Sequence, residues 1–208
     1  MVPSAHSETR RPVIPFETIR SFFAILAILA NVAVVGAIVL FLGSRVSLGM
    51  AETRARLEAS LTGYELWFAF TVALVAMVGS LYLSEVVGFE PCKLCWYQRI
   101  AMYPLVPILG IAAWRSDRRI RPYAVTLAAI GGVIGSYHYL LQNFPSMSSS
   151  VSCSPTAPCT AIYIWEFGFI SIPYMALSAF ALIITLMVVA QSNDRRAAIP
   201  IRETEVAQ

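Results

Sequence analysis

Charge is scarce in this chain. Asp, Glu, Lys and Arg make up only 13% of its 208 residues, while 58% are apolar. Soluble domains average about 25% charged and about 45–50% apolar, so an ordinary soluble domain is excluded. The net charge of +3 is modest. The arginines lie in short flanks between apolar runs, without a basic face or alternating aromatic and basic residues, which excludes a nucleic-acid surface. Histidine is sparse, and His6 stands in an N-terminal tail with no chemical context. No segment repeats, and low complexity is confined to "SMSSS" at 146–150. What remains is the composition of an integral membrane protein.

Crossing a bilayer takes about 20 predominantly apolar residues. Five stretches meet that requirement: Phe22–Leu42, Leu66–Phe89, Trp96–Trp114, Pro122–Phe144 and Ile172–Ala190. The third carries Arg99, Pro104 and Pro107; prolines are tolerated in a membrane helix when neighbours satisfy the freed backbone groups. Between the first two spans, Met50, Leu57, Leu61 and Tyr64 recur at helical spacing opposite Glu52, Arg54, Arg56 and Glu58. That pattern reads as a short amphipathic helix in the membrane interface, with a solvated linker as the alternative.

Orientation follows from the positive charges. "RSDRRIR" at 115–121 holds four arginines in seven residues, and Arg195, Arg196 and Arg202 follow the last span. The stretch 145–171 has no Lys or Arg. The 115–121 loop and the C-terminus are therefore expected in the cytoplasm, with the 145–171 loop and the loop before Trp96 outside. Around the first span the charges tie: Arg10, Arg11 and Arg20 before it, Arg45, Arg54 and Arg56 after it. Its apolar core exceeds the 7–15 residues of a signal peptide, and cleavage would conflict with the orientation of the other spans. It is read as a retained extra helix.

On this topology all four cysteines lie outside: Cys92 and Cys95 as C-x-x-C in "FEPCKLCWYQR", Cys153 and Cys159 as C-x5-C in "CSPTAPC". An oxidising exterior lets disulfides persist. A four-thiolate zinc site is one alternative, but C-x5-C is wider than the usual ligand spacing and brings no histidine. Haem attachment needs His after the second cysteine, where Trp96 stands. Inert staples are another alternative, although bridges closing so few residues constrain the unfolded chain little. Redox activity suits the position better. Cys95 directly precedes the span at Trp96, where helix-end amides favour a thiolate. Arg99 lies one turn deeper, and an ionisable residue inside a span is a functional candidate; the bland reading is snorkelling to the headgroups. His138 and Gln142 in "GSYHYLLQNF" share a helix face, with His138 at about the depth of Arg99. Alone, His138 reads as a core residue; beneath a dithiol, it becomes a candidate for holding a polar head group.

The run "PCKLCWYQR", followed by a second cysteine pair in the next external loop, resembles the disulfide bond formation protein B family (DsbB). The C-x5-C spacing and "WEFGFISIPYMAL" are most similar to its BdbC-type branch. The resemblance covers roughly residues 66–190. It implies an all-α integral membrane protein of the cell membrane: a four-transmembrane-helix bundle over 66–190, here with one additional N-terminal transmembrane helix. The remaining divisions are a tail at 1–21, the extra helix and interfacial segment at 22–65, and a cytoplasmic tail at 191–208. The implied activity is reoxidation of an extracytoplasmic thioredoxin-fold thiol oxidase (DsbA-like), with electrons passed to a membrane quinone, ubiquinone or menaquinone. Cys92 and Cys95 match the quinone-proximal pair, with Cys95 the thiolate at the quinone. Arg99, His138 and Gln142 match residues placed at the quinone, and Cys153 and Cys159 match the pair that meets the partner. Longer-loop members space that pair more widely.

Two rival readings are carried forward. A vitamin K epoxide reductase-like enzyme also couples a loop cysteine pair to a quinone-linked C-x-x-C, but there the C-x-x-C comes later in the chain. A non-enzymatic membrane scaffold with structural disulfides has no use for Arg99 beside the thiols.

Overall fold

The computed structural model describes residues 16–146, 153 and 157–206, with side chains as far as 194. His6, Arg10 and Arg11, most of the serine tract, and the side chains of Arg195, Arg196 and Arg202 lie outside the described residues. The elements are α1 (Phe16–Gly43), α2 (Leu48–Leu61), α3 (Glu65–Leu81), α4 (Lys93–Met102), α5 (Leu105–Arg115), α6 (Arg121–Asn143) and α7 (Ile172–Val206). Among the described residues no strand forms, and β pairing is limited to an isolated bridge between Glu166 and Ile170. A helix satisfies its backbone within its own segment, which hydrocarbon demands. Among the described residues, four helical stretches are long and apolar enough to cross a membrane: Phe16–Gly43, Glu65–Val86, Arg118–Asn143 and Ile172–Asp194. The protein is an all-α membrane protein.

The expected span at 96–114 is built differently. It starts at Lys93 and is divided into α4 and α5 at Tyr103–Pro104. Pro104 and Pro107 have no N–H to donate, so the ladder of hydrogen bonds is interrupted. Both residues at the junction keep right-handed helical angles (Tyr103 φ −63°, ψ −41°; Pro104 φ −63°, ψ −26°), and the chain continues in the same sense. α1 also begins earlier than expected, so Arg20 is helical and pairs with Glu166.

The core lies where α3, α5, α6 and α7 meet, around Leu105, Leu109, Phe180 and Ile183, all fully buried. α6 and α7 approach closely because Gly131 faces Phe180. A Cβ at Gly131 would stand 2.2 Å from the ring Cζ, and small residues are what allow membrane helices such contact. This packing fixes the end of α6 that carries His138.

At the opposite, arginine-rich end, buried Glu65 accepts from the Gly63 amide and from Asn193 Nδ2, each at 2.8 Å. Arg118 reaches both Glu65 and Asp194, and Arg121 also pairs with Asp194. A buried carboxylate is tolerated when it is paired and hydrogen-bonded in this way. α2 forms as a helix, but its inner face differs from the expected one. Glu58 is buried and paired with Arg54, its carbonyl accepts from Asn193 Nδ2 at 3.0 Å, and Leu57 points outward. Ion pairing and the Asn193 contact outweigh the weak apolar stripe, so polar groups dock α2 on α7.

Candidate active site

Cys92 caps the N-terminus of α4. Its extended backbone (φ −68°, ψ 170°) turns Sγ toward the first helical turn, where it accepts from the Cys95 amide at 3.4 Å. The two sulfurs of the C-x-x-C are 2.9 Å apart and are free thiols, while Cys153 and Cys159 form a disulfide. Because the helix starts at Lys93, its unpaired amides serve Cys92 rather than Cys95, which had been the expected thiolate. The hydrogen bond from the Cys95 thiol, helped by His138 and the Cys95 amide, lowers the Cys92 thiol to about 4; its desolvation acts in the opposite direction and loses.

His138, 2% exposed, is the junction of the site. Its Nε2 lies 3.6 Å from Cys92 Sγ and 3.1 Å from the Cys159 carbonyl oxygen, and its Nδ1 lies 2.9 Å from Gln98 Nε2. The Cys159 carbonyl can only accept, so Nε2 donates to it, and Nδ1 accepts from the Gln98 amide. Cys92, Leu94, Leu141, Ala157 and Cys159 form one buried apolar cluster, with Cys95 and Cys153 packed at its edge. The two cysteine pairs thus share one small volume.

Cys95 also faces a cavity of about 400 Å³. Gln98, Arg99 and His138 border it at the cysteine end, and the rest of its wall is mainly aliphatic. Arg99 is held by α3: Nε donates to Ser80 Oγ at 3.0 Å and Nη2 to the Ser80 carbonyl at 2.9 Å, with the guanidinium 5.2 Å from the Trp96 ring centroid. Gln142 does not border the cavity. It is buried one turn beyond His138 and donates to the Ala161 carbonyl at 2.9 Å, so it holds the loop that bears Cys159. Reading the sequence overlooked Gln98 and Ser80. Gln98 left a signal, a second polar residue beside Arg99 in an apolar span; Ser80 in "VGSLYLS" left none that distinguishes it from any small residue.

Cys92, Cys95 and His138 place three ligand atoms within 4.8 Å of one another, a donor set compatible with a thiophilic cation. The four-thiolate zinc arrangement is not formed, because Cys153 and Cys159 are bonded to each other.

The family model for disulfide bond formation protein DsbB matches residues 63–190. The chain belongs to the DsbB family. It is 52% identical over 122 residues to disulfide bond formation protein C of Bacillus subtilis (strain 168), covering 59% of this chain and 88% of that protein. To probable disulfide formation protein C 1 of Bacillus anthracis it is 47% identical over 117 residues, covering 56% and 84%. To the probable disulfide formation protein of Coxiella burnetii (strain RSA 493 / Nine Mile phase I) it is 43% identical over 141 residues, covering 66% and 95%. No solved structure matches the chain. As a DsbB-family member the protein is a membrane disulfide oxidoreductase, which sets aside the vitamin K epoxide reductase-like and scaffold readings. α1 and α2 both fall outside the matched segment.

Proposed function

We propose that the protein reoxidises an extracytoplasmic thioredoxin-fold dithiol oxidase and delivers the two electrons to a membrane quinone. The observation that carries this reading is the position of the C-x-x-C. Through His138 it adjoins the Cys153–Cys159 disulfide, and through Cys95 it faces the apolar cavity.

The chemistry runs in two exchanges. A partner thiolate attacks the Cys153–Cys159 disulfide, the partner's second thiol releases it as a disulfide, and Cys153 and Cys159 are left as thiols. These reduce a Cys92–Cys95 disulfide by the same exchange, in which a thiolate forms one S–S bond while another breaks. Cys92 is the better leaving group of that pair, because its departing thiolate is met by the Cys95 amide and by His138. Cys95, Arg99 and His138 are the residues that would hold a quinone: they give the cavity a polar end, and its aliphatic wall suits an isoprenoid tail. A bound quinone would supply the two-electron oxidant for re-forming the Cys92–Cys95 disulfide; Cys95 gives up its thiol proton, Cys92 is already a thiolate, and the second proton needed for quinol would come from water. Arg99, oriented by Ser80, supplies positive charge beside the reacting sulfur. The cysteines then belong at the extracytoplasmic face, with the 115–121 arginines in the cytoplasm.

The deciding experiment is a thiol oxidation assay on purified protein in detergent or liposomes, with a reduced thioredoxin-fold oxidase as donor and ubiquinone or menaquinone as acceptor. Quinol should form in proportion to partner disulfide. Partner oxidation that proceeds equally without quinone, or none with it, rejects the reading.

A further inference from the structure

The cavity beside Cys95 is not closed by the family core alone. The match to the family begins at residue 63, yet Phe23, Leu26, Ala27 and Ala30 of α1 form part of the cavity wall. α1 turns Ala24, Ala27 and Ala30, exposed by 0%, 4% and 9%, toward the bundle, while Val32 on another face is 64% exposed. The helix is fastened at several points. Arg20 pairs with Glu166 at the cysteine end, and Asn31 Nδ2 donates to Ser178 Oγ at 2.7 Å near the middle. Phe23 fits over Gly79 of α3 so closely that a Cβ there would be 2.6 Å from the ring Cζ. On α7 the cavity wall extends from Ile172 to Leu182, roughly 15 Å at about 1.5 Å per residue. Polar groups gather at the end with Cys95 and Arg99. Deeper, the Thr71 and Ser178 hydroxyls donate to carbonyls of their own helices, Trp67 and Tyr174, so that part of the slot is effectively apolar.

We infer that α1 closes the quinone slot on the side facing lipid, and that Ala27 and Ala30 set the width available to the isoprenoid tail. This rests on the quinone reading above. A tail-bearing quinone has the shape of the slot, with one polar end and a long apolar remainder. Adding bulk at Ala27 or Ala30 narrows the deep part while leaving Cys95, Arg99 and His138 untouched.

The test uses the full chain and two acceptors with the same ring, one bearing a long isoprenoid tail and one bearing a methyl group instead. Ala27→Leu and Ala30→Leu should weaken binding of the long-tail quinone, measured by equilibrium dialysis, by on the order of tenfold, the scale of forced overpacking. KM for that quinone should rise in parallel, while values for the tail-less analogue stay within about twofold. Val32→Leu, on the exposed face, should change neither. If the leucine variants do not purify as folded protein, Ala27→Val and Ala30→Val make the same comparison with less added volume. In the wild type, a quinone carrying a photoreactive diazirine on its tail should label peptides from 16–43. Equal weakening for both acceptors, no weakening for either, or labelling that spares α1 overturns the inference. Failure of the wild-type protein to bind or reduce either acceptor would instead refute the quinone reading itself, a separate and recognisable outcome.

Discussion

One imidazole touches both cysteine pairs: His138 Nε2 is 3.6 Å from Cys92 Sγ and 3.1 Å from the Cys159 carbonyl oxygen. A ring in that position can pass a proton to or from Cys92 while anchoring the loop that carries the other disulfide. His138→Leu keeps the volume and removes both contacts. Transfer between the two pairs, followed by stopped-flow after reduction of Cys153–Cys159, should slow by about 100-fold, the lower range for a lost acid–base group. His138→Gln can still donate to the Cys159 carbonyl, so it should recover loop position without the proton transfer. If His138→Gln transfers at the wild-type rate, the ring only positions the loop.

The pH dependence of the C-x-x-C couple follows from Cys92. Its folded pKa is lowered from about 8.5 to about 4 by the Cys95 thiol, His138 and the Cys95 amide. This contribution to the stability of the reduced protein is fully present above the unfolded pKa and is lost as pH falls through about 4. Between those limits, closing or opening the disulfide exchanges two electrons and one proton, because Cys92 is already a thiolate. The midpoint potential of Cys92–Cys95 should therefore fall by about 30 mV per pH unit near neutrality, rather than about 60 mV. Redox titration at pH 6, 7 and 8 measures the slope, and the two-proton value would mean that Cys92 is not a thiolate.

Arg99 is tied to α3 by two hydrogen bonds to Ser80 and lies against Trp96, which is not how a side chain snorkelling to headgroups is held. Arg99→Leu should reduce quinone-dependent turnover by on the order of 10²-fold, the scale of removing one preorganised donor, while exchange at Cys153–Cys159 continues. Arg99→Lys should recover only part of the loss, since Lys lacks the planar fork that can donate to both Ser80 atoms. Unaltered quinone kinetics in Arg99→Leu would leave the residue a structural link between α3 and α4.

The apolar runs made the long helices legible, and the arginine-free stretch and the two cysteine pairs made the cysteine end of the bundle legible. The limits of the third span were not, because Lys93 is polar and hydropathy ignores a helix that begins before its apolar part. That shift of three residues moved the helix-end amides from Cys95 to Cys92. Gln142 shares a face with His138 in sequence terms, yet one turn of rise carries it past the cavity to the Ala161 carbonyl. The inner face of α2 was misread because apolar spacing does not register that Arg54 can neutralise a buried Glu58. The part played by α1 in the cavity depends on tertiary contacts with Gly79 and Ser178 that no local pattern announces.

Cys153 and Cys159 are not equally accessible to an incoming thiolate. Cys159 is 3% exposed, packed in the cluster with Cys92 and Leu141, and its carbonyl accepts from His138. Cys153 is only partly buried and lies at the edge of that cluster. A partner thiolate must approach the attacked sulfur in line with the S–S bond, so access favours Cys153 and leaves Cys159 as the departing thiolate beside the C-x-x-C. Removing the thiol that would resolve the mixed disulfide should trap it. Cys159→Ala should therefore accumulate a partner-linked adduct at Cys153 that dissolves in reductant, and Cys153→Ala should accumulate little. Cys92→Ala and Cys95→Ala should abolish quinone reduction, while Cys153–Cys159 still oxidises one equivalent of partner dithiol. Non-reducing gels and mass spectrometry of the adduct decide the matter. An adduct mapped to Cys92 in protein with all other cysteines intact would reverse the order, making the C-x-x-C the partner-facing pair.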